Sequence, residues 1–213
     1  MPSILLEIQE TVMKYADIMS EIAQIEVEVV DETLYRVAGT GIFRQHVNED
    51  MAQEGYVYRH ILRTGNEVII YNPGKEDLCQ NCPKKDICSE KIEISMPIRL
   101  NGEIIGVIGL VGSSEEQRER ILSNERMYLE LLEQIAEFIA VKAGELTEAK
   151  QRAALLDALD CVTNHVERGD PDPGQGRRDH HGQRTGQAPA LRGGAGGEAG
   201  GGHGHGRYLQ PPA

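Results

Sequence analysis

Strict alternation of apolar and polar residues over positions 91–100 is the clearest structural pattern in the chain. The apolar positions are Ile92, Ile94, Met96, Ile98 and Leu100. This is the period of a half-buried strand. Asn101-Gly102 follows, a dipeptide that favours positive φ in a two-residue hairpin turn. Residues 103–111 are apolar almost throughout, which predicts a central strand buried on both faces. Gly106 and Gly109 within it indicate close approach of another backbone or of a ligand.

Three weaker patterns extend the predicted sheet. Alternation over 24–31 predicts a half-exposed strand, and 34–38 and 68–71 predict two more, each closed by turn residues. A short helix is expected within 48–63. The predicted fold class is α+β, with an antiparallel sheet of about five strands flanked by helices.

Both ends of this region carry helical periodicity. Residues 3–22 place apolar side chains at heptad spacing, namely Leu5, Ile8, Val12, Tyr15, Met19 and Ile22. Such a seam packs either on its own domain or on a second copy. From Ser113 a helical pattern runs to about Arg168, with one break near Ser123-Asn124. Ser113 and Glu116 have capping-box spacing. This helix is longer than one small sheet requires, which predicts a projecting, paired connector.

Composition divides the chain. Residues 169–213 hold 14 of the 24 glycines and five of the nine prolines, and they carry a charge of +1. The whole chain has a net charge of −12, so residues 1–168 carry a charge of −13. The predicted parts are an N-terminal, coiled-coil-like helix (1–23), a sheet domain (24–112), a connector helix (113–168) and a disordered tail (169–213).

The charge balance argues against direct binding to nucleic acid or to an anionic membrane. No apolar run reaches the ~20 residues of a membrane span, and the N-terminus lacks a signal-peptide pattern. A cytoplasmic location is expected. There, closely spaced cysteines more often indicate metal or redox chemistry than disulfides.

Cys79, Cys82 and Cys88 form a C-x2-C-x5-C cluster in a polar segment. Thiolates suit an iron–sulfur cluster or zinc, and we predict these three residues as metal ligands, with His46 or His60 among the candidates for a fourth. The alternatives are a thiol/disulfide switch, which neighbouring lysines would favour by stabilising thiolates, and a structural role.

A small-molecule pocket is a separate prediction. Tyr56, Tyr58 and His60 on the short helix, with Arg99 and Gly106 on the sheet, are the candidate lining residues. The alternative is ordinary packing of aromatic side chains over a sheet. No Ser-His-Asp set, paired catalytic carboxylates or phosphate loop is evident, so we predict that the chain is not an enzyme.

The segment LCQNCPKKDICSEKIEISMPIRLNGEIIGVIGLVG resembles the N-terminal sensor region of sigma-54-dependent transcriptional activators. In those proteins a GAF-like domain often precedes a PAS domain, an AAA+ ATPase and a helix-turn-helix. The resemblance covers roughly residues 3–145. It implies a GAF-like regulatory module that senses a redox, metal or small-molecule signal, forms a homodimer through its terminal helices, and works with PAS and AAA+ domains.

The resemblance leaves two other functions open. Some GAF domains reduce free methionine sulfoxide with cysteine thiols, and a non-sensing dimerisation scaffold would need only the helices. It also offers an interpretation of the tail. Read one base later from Asp170, with suitable wobble bases, the tail permits TLILDKDGVITTANGQA, which resembles the start of a PAS domain. We therefore expect a frameshift near Gly169.

Overall fold

A computed structural model describes residues 2–167 and confirms the predicted α+β class. Five strands form one antiparallel sheet in the order β2-β1-β5-β4-β3. The strands are β1 (Glu26–Asp31), β2 (Arg36–Gly39), β3 (Val68–Ile70), β4 (Ile92–Leu100) and β5 (Glu103–Gly112). The helices are α1 (Ile4–Glu7), α2 (Gln9–Ala23), α3 (Tyr56–Thr64), α4 (Glu115–Ser123) and α5 (Glu125–Glu167).

The sheet is covered on both faces. Because successive strand residues point to opposite faces, Ile108 and Leu110 of β5 join one hydrophobic cluster and Val107 joins another. The first cluster lies under α2, α4 and α5. The second lies under α3 and the segment that carries Cys79. The central position of β5 confirms the prediction of a strand buried on both sides.

The β4–β5 hairpin forms at the predicted turn. Leu100 pairs with Glu103, and Asn101 and Gly102 have φ values of 52° and 87°. Positive φ at both central residues is the geometry that matches the right-handed twist of the flanking strands. The register then runs regularly towards Ile92 and Gly112, apart from one irregularity between Ile98 and Arg99.

Most apolar residues of the predicted N-terminal heptad seam pack in the domain's own core. Leu5, Val12 and Met19 are fully buried, whereas Ile22 stays 66% exposed. The helix predicted over 3–22 is also interrupted at Ile8, where α1 ends and α2 begins. In this chain the seam therefore serves intramolecular packing, and the predicted boundary after residue 23 does not separate two cores.

The exit helix breaks at Asn124, as predicted, and the capping box is shifted by one residue. Ser114 caps α4 and exchanges hydrogen bonds with Gln117, so the prediction of Ser113 and Glu116 was wrong. Ser113 instead donates its hydroxyl to Glu26 Oε1 over 3.1 Å. Gln117 is the better partner because its amide oxygen also accepts from the Ser113 backbone N–H at 2.8 Å.

Helix α5 has two roles along its length. Its first part packs on β4 through a buried face that includes Leu132, Ile139 and Ala143. Beyond Thr147 every side chain that the structure describes is exposed. The helix therefore leaves the domain and projects, although none of the described helices is long and apolar enough to cross a membrane. The tail predicted over 169–213, with its frameshift, lies outside the described residues.

The core supports a direct stability test. Ile108→Ala empties a fully buried position on the central strand, and the free energy of unfolding should fall by about 2–5 kcal/mol in urea denaturation. Ile87→Ala removes the same atoms from a side chain that is 80% exposed, and the expected change is within about 0.5 kcal/mol. Equal losses in the two variants would contradict the described core.

Candidate functional site

The polar face of the β4 pattern is buried, contrary to the half-exposed strand that its alternation predicts. Glu93 is 6% exposed and Ser95 is fully buried. Glu28, on the strand predicted over 24–31, is 3% exposed. The cause is the second layer, since α3 and the segment over 71–90 cover this face of the sheet. Buried carboxylates require partners or altered protonation, so this face carries the unusual chemistry of the domain.

Gly109 lies at the centre of that face. It pairs with Glu28 of β1 on one side and with Ser95 of β4 on the other. A Cβ atom at Gly109 would lie 2.7 Å from Ser95 Oγ and 2.8 Å from the Tyr58 hydroxyl oxygen. Glycine is thus required for the Tyr58 hydroxyl to reach the sheet. Gly106 fits the predicted close approach of another backbone, because its Cβ would lie 2.4 Å from the Val30 carbonyl oxygen.

A buried ion pair organises this surface. Arg36 Nε contacts Glu28 Oε1, and the two side chains are 4% and 3% exposed. Tyr58 donates its hydroxyl to Glu28 Oε2 over 2.6 Å. Arg36 Nη1 donates to the His46 carbonyl at 3.0 Å, and its guanidinium lies 5.9 Å from the centre of the Phe43 ring. Both charges are therefore hydrogen-bonded, as burial demands.

Glu54 connects this ion pair to the cysteine loop, the segment over 79–88. Its carboxylate lies 3.9 Å from Arg36 Nη2 and forms an ion pair with Lys84 of the loop. The Cys82 thiol also points to the Glu54 carbonyl, with 3.9 Å between sulfur and oxygen. The loop is consequently held over the sheet by contacts to the segment that leads into α3.

A cavity of about 350 Å³ lies between the sheet, α3 and the cysteine loop. This volume is at the lower end of the range of small-molecule sites. Apolar side chains and charged groups both line it. The apolar part includes Ile42, Phe43, Met51, Tyr56, Val57 and Leu78; the ionisable part includes Glu28, Arg36, His46, Glu49, Tyr58, Glu54, Lys84, Lys85, Glu90, Glu93 and the three loop cysteines. A mixed lining of this kind can bury a small ligand and fix its orientation through polar contacts.

Two carboxyl groups of the cavity, Glu90 and Glu93, and the Tyr58 hydroxyl have raised pKa values. Burial, followed by repulsion from Glu90, raises the pKa of Glu93 to about 8. Burial and the charge of Glu28 raise the pKa of Glu90 to about 7. Burial and the Glu28 carboxylate also raise the pKa of Tyr58 well above its ordinary value. Tyr58 therefore acts as a hydrogen-bond donor, and the Glu90–Glu93 pair does not carry two full charges at neutral pH.

The thiols are less ionised than the neighbouring lysines would predict. Burial raises the pKa of Cys79. Burial and the Glu90 carboxylate raise the pKa of Cys88 to about 11. Desolvation and acidic neighbours thus outweigh Lys84 and Lys85, so the expected stabilisation of thiolates by lysine is wrong for these two residues. Cys161 lies apart on the exposed stretch of α5.

The structure brings part of the predicted site together. Tyr56 and Tyr58 line the cavity together with Cys79, Cys82 and Cys88. Residues predicted for the small-molecule pocket and residues predicted for the metal site therefore lie at the same place. His60 is half-buried on α3 outside the lining. Arg99 is exposed and donates to the Gly65 carbonyl at 2.7 Å, and Gly106 packs against Leu5 and Val30. These last three residues do not contribute to the cavity.

The predicted metal centre is not preformed. Within residues 2–167, no three His, Cys, Asp or Glu side chains are arranged to hold one ion, and two of the three thiols are held protonated by their surroundings. Thiolate ligands bind metal only after losing that proton. The iron–sulfur or zinc hypothesis for Cys79, Cys82 and Cys88 stays a prediction.

The residues that sequence reasoning missed are the buried polar ones. Glu28 and Glu93 occupy polar positions of patterns that predict half-exposed strands, and nothing in the sequence pattern singled out Arg36 or Glu54. One signal was available. Glu28 and Glu93 belong to strands that flank an all-apolar strand, and a central strand buried on both faces implies that its neighbours are covered on both faces too.

Glu93→Gln tests the protonation of this face. Because the folded pKa of Glu93 lies above the ordinary 4.5, its contribution to stability is fully present below that pH and is lost as the pH rises through about 8. The free energy of unfolding, measured in urea between pH 5 and 8.5, should therefore fall less with pH in the variant than in the wild type.

The exposed Glu67 supplies the matched control. Glu67→Gln should leave the pH dependence of unfolding unchanged, since the Glu67 side chain lies at the surface. An unaltered slope in Glu93→Gln as well would show that Glu93 is ionised at neutral pH and would contradict the described environment.

A relative of this chain shares sequence identity over most of the described residues. The putative uric acid sigma-54-dependent transcriptional regulator UacR of Escherichia coli (strain K12) is 33% identical over 143 residues. The alignment covers 67% of this chain and 24% of the relative, so the chain spans about a quarter of that protein's length. This identity confirms the resemblance to sigma-54-dependent regulators.

A solved structure shows the same fold at lower identity. A methyl-accepting chemotaxis protein has 18% identity and a TM-score of 0.51, covering 66% of this chain and 93% of its own. The type II free methionine-R-sulfoxide reductase from Thermoplasma acidophilum has 18% identity and a TM-score of 0.46, covering 66% and 96%. The GAF domain family model matches residues 4–141, and the chain belongs to that family.

Proposed function

We propose that this domain is the small-molecule-sensing module of a sigma-54-dependent transcriptional regulator, acting in the cytoplasm as a binding domain and not as an enzyme. The single observation that carries the proposal is the cavity of about 350 Å³ beneath the cysteine loop, whose floor is the buried Glu28–Arg36 pair. A ligand there touches the sheet, α3 and the loop together. Its binding energy is therefore available to shift their arrangement.

Purine-sized heterocycles are the first ligands to consider. The name of the Escherichia coli relative includes uric acid, and the lining combines an aromatic and aliphatic wall with hydrogen-bonding groups, as flat polar heterocycles require. The cavity volume also matches a ligand of one or two rings rather than a nucleotide. These features support the class of ligand, while the relative supports the choice of purines.

The path from the cavity to α5 runs through β4. Glu93 lines the cavity, whereas Ile92 and Ile94 face the opposite cluster, to which Leu132 and Ile139 of α5 belong. A ligand that displaces the cavity face of β4 consequently acts on the helix packed behind it. Only a few kcal/mol of preference between two arrangements are needed for such a switch. In a complete regulator, PAS and AAA+ domains would receive the change.

A thiol-based enzyme is the weaker alternative. Reduction of methionine sulfoxide starts with a cysteine nucleophile, which must be available as a thiolate. Burial and Glu90 oppose ionisation of Cys88, and burial opposes ionisation of Cys79. The same cause disfavours a fast thiol/disulfide switch. Both alternatives need a change in loop conformation before they can begin, whereas ligand binding needs none.

Titration calorimetry of the full chain with uric acid, xanthine and hypoxanthine tests the sensing proposal. At least one purine should bind, and Glu54→Gln should weaken it by about tenfold, since the variant loses the charge that holds Lys84 and the loop over the cavity. Glu67→Gln, outside the lining, should bind as the wild type does. Absence of binding to every purine would remove the purine assignment.

We also propose that the domain forms a homodimer through α5. A row of exposed apolar residues follows one heptad phase along the helix: Met127, Phe138, Val141, Leu155, Leu159 and Val162, each 43–63% exposed. The same phase passes through Glu145, Glu148 and Arg152, which divide the row into two apolar parts. A second copy of the helix covers such a row by coiled-coil packing, and polar positions within it fix the register.

Two substitutions three residues apart separate this face from the rest of the helix. Leu159→Glu places a charge in the row, and sedimentation velocity should show its mass fall from dimer to monomer. Leu156→Glu changes a neighbouring residue that is 57% exposed but outside the row, and the dimer should persist. A monomeric wild type, or equal dissociation in both variants, would contradict dimerisation through this face.

A further inference from the structure

The guanidinium group of Arg36 has donor capacity that the buried ion pair does not use. Its Nε contacts Glu28, and its Nη1 donates to the His46 carbonyl oxygen over 3.0 Å. The third nitrogen, Nη2, lies 3.9 Å from Glu54 Oε1, which is too far for a hydrogen bond. Within residues 2–167 the hydrogen bonds of this side chain are those of Nε and Nη1. The N–H groups of Nη2 are therefore available to another acceptor.

The cavity is the space from which Nη2 can be reached. Arg36 lines the cavity, and its exposed fraction is 4%. Among the described residues, the buried side-chain nitrogen or oxygen atom without a hydrogen-bond partner is Glu26 Oε2, which lies outside the cavity lining. Since Nη2 also has no hydrogen-bond partner but is not buried in this sense, it keeps accessible surface. An acceptor that enters the cavity can use that surface.

The other strong donors of the lining are engaged or less buried. Tyr58 donates its hydroxyl to Glu28 Oε2 over 2.6 Å. The lining lysines, Lys84 and Lys85, belong to the cysteine loop, and neither is buried. Arg36 is thus the buried basic side chain of the lining, and it combines a positive charge with unused N–H groups.

Glu93 adds a second donor to the cavity. Burial, followed by repulsion from Glu90, raises the pKa of Glu93 to about 8, so the carboxyl group carries a proton at neutral pH. Ser95 donates its hydroxyl to Glu93 Oε1 over 2.6 Å, which places the proton of the carboxyl group on its other oxygen. Arg36 and Glu93 therefore both present hydrogen atoms, and the ligand that satisfies them must bring acceptors.

An oxo oxygen on a flat ring suits these donors. A carbonyl oxygen accepts close to the plane of its ring, and the guanidinium group is itself planar, so the two can meet edge to edge. A hydrogen bond from a charged donor that is shielded from water is stronger than one between neutral groups at the surface. A ring edge without an acceptor would instead leave the Nη2 donors unpaired and cut off from water, which costs free energy.

We propose that Arg36 anchors the ligand by donating from Nη2 to an oxo oxygen of a flat heterocycle, and that the cavity thereby selects oxo-bearing rings over the unsubstituted ring. This inference rests on the proposed ligand-binding function and specifies the chemistry of recognition. Arg36 then holds Glu28 with one arm of its guanidinium group and the ligand with another. The ligand is thereby joined directly to the ion pair between β1 and β2.

Unsubstituted purine provides the comparison, because hypoxanthine, xanthine and uric acid carry oxo groups on the same ring system. In titration calorimetry with the full chain, at least one of these oxopurines should bind about tenfold more tightly than purine, or better. This order is expected in the wild-type protein and requires no variant.

Arg36→Lys then assigns the preference to one side chain. Lysine keeps a positive charge beside Glu28 but lacks the second arm that reaches the ligand. The variant should lose most of the preference for the oxopurine, while its affinity for purine changes little. A purely structural role of Arg36 would weaken both ligands equally and leave the preference intact.

Arg63→Lys is the matched control, since it makes the same exchange at an exposed position of α3 outside the cavity lining. It should keep the full preference. Circular dichroism establishes that each variant is folded. If Arg36→Lys does not fold, the order of the ligands in the wild type decides.

The outcomes separate this inference from the sensing function. Purine binding as tightly as every oxopurine would overturn the proposed selectivity while leaving a small-molecule sensor in place. Full preference in a folded Arg36→Lys would likewise remove Arg36 as the anchor and leave the sensor standing. No measurable binding of any of these compounds would overturn this inference together with the purine assignment.

Discussion

The buried ion pair between Glu28 and Arg36 is the interaction on which the arrangement of this domain's second layer depends. It joins β1 to β2 inside the protein, and Tyr58 attaches α3 to the same carboxylate. Glu54 extends the network to Lys84 and thereby to the cysteine loop. Removing one member of a buried pair leaves an uncompensated charge, at a typical cost of about 3–5 kcal/mol. The cavity exists because these partners hold its roof and floor apart.

Alternation and turn chemistry were sufficient to predict the framework. The Asn101-Gly102 turn, the order of apolar residues in β4 and the continuous apolar run of β5 are local signals, and each formed as expected. The same alternation gave the wrong environment for Glu93 and Ser95. Whether the polar face of a strand meets water depends on segments distant in sequence, here α3 and the loop over 71–90, and periodicity within the strand holds no information about them.

The cysteines show the same contrast between what local sequence predicts and what distant segments determine. Their spacing locates a cluster in the sequence, and the structure places all three along one cavity. Their protonation, however, depends on the folded environment: desolvation, followed by the Glu90 carboxylate, raises the pKa of Cys88. Glu54 pairs with Lys84 and removes part of that lysine's influence. Chemistry inferred from neighbouring residues in sequence therefore fails where their side chains are engaged elsewhere.

Helix α5 acts mechanically as a lever whose fulcrum is the sheet. It is held on the domain as far as Lys150, which forms an ion pair with Glu7, and then extends at least to Val162, a distance of roughly 18 Å at 1.5 Å per residue. A tilt of about 5° at the sheet moves the far end by roughly 1.6 Å over that length. Displacements at the cavity too small to alter the strand pairing thus arrive at the end of the helix as movements comparable to the size of a methyl group.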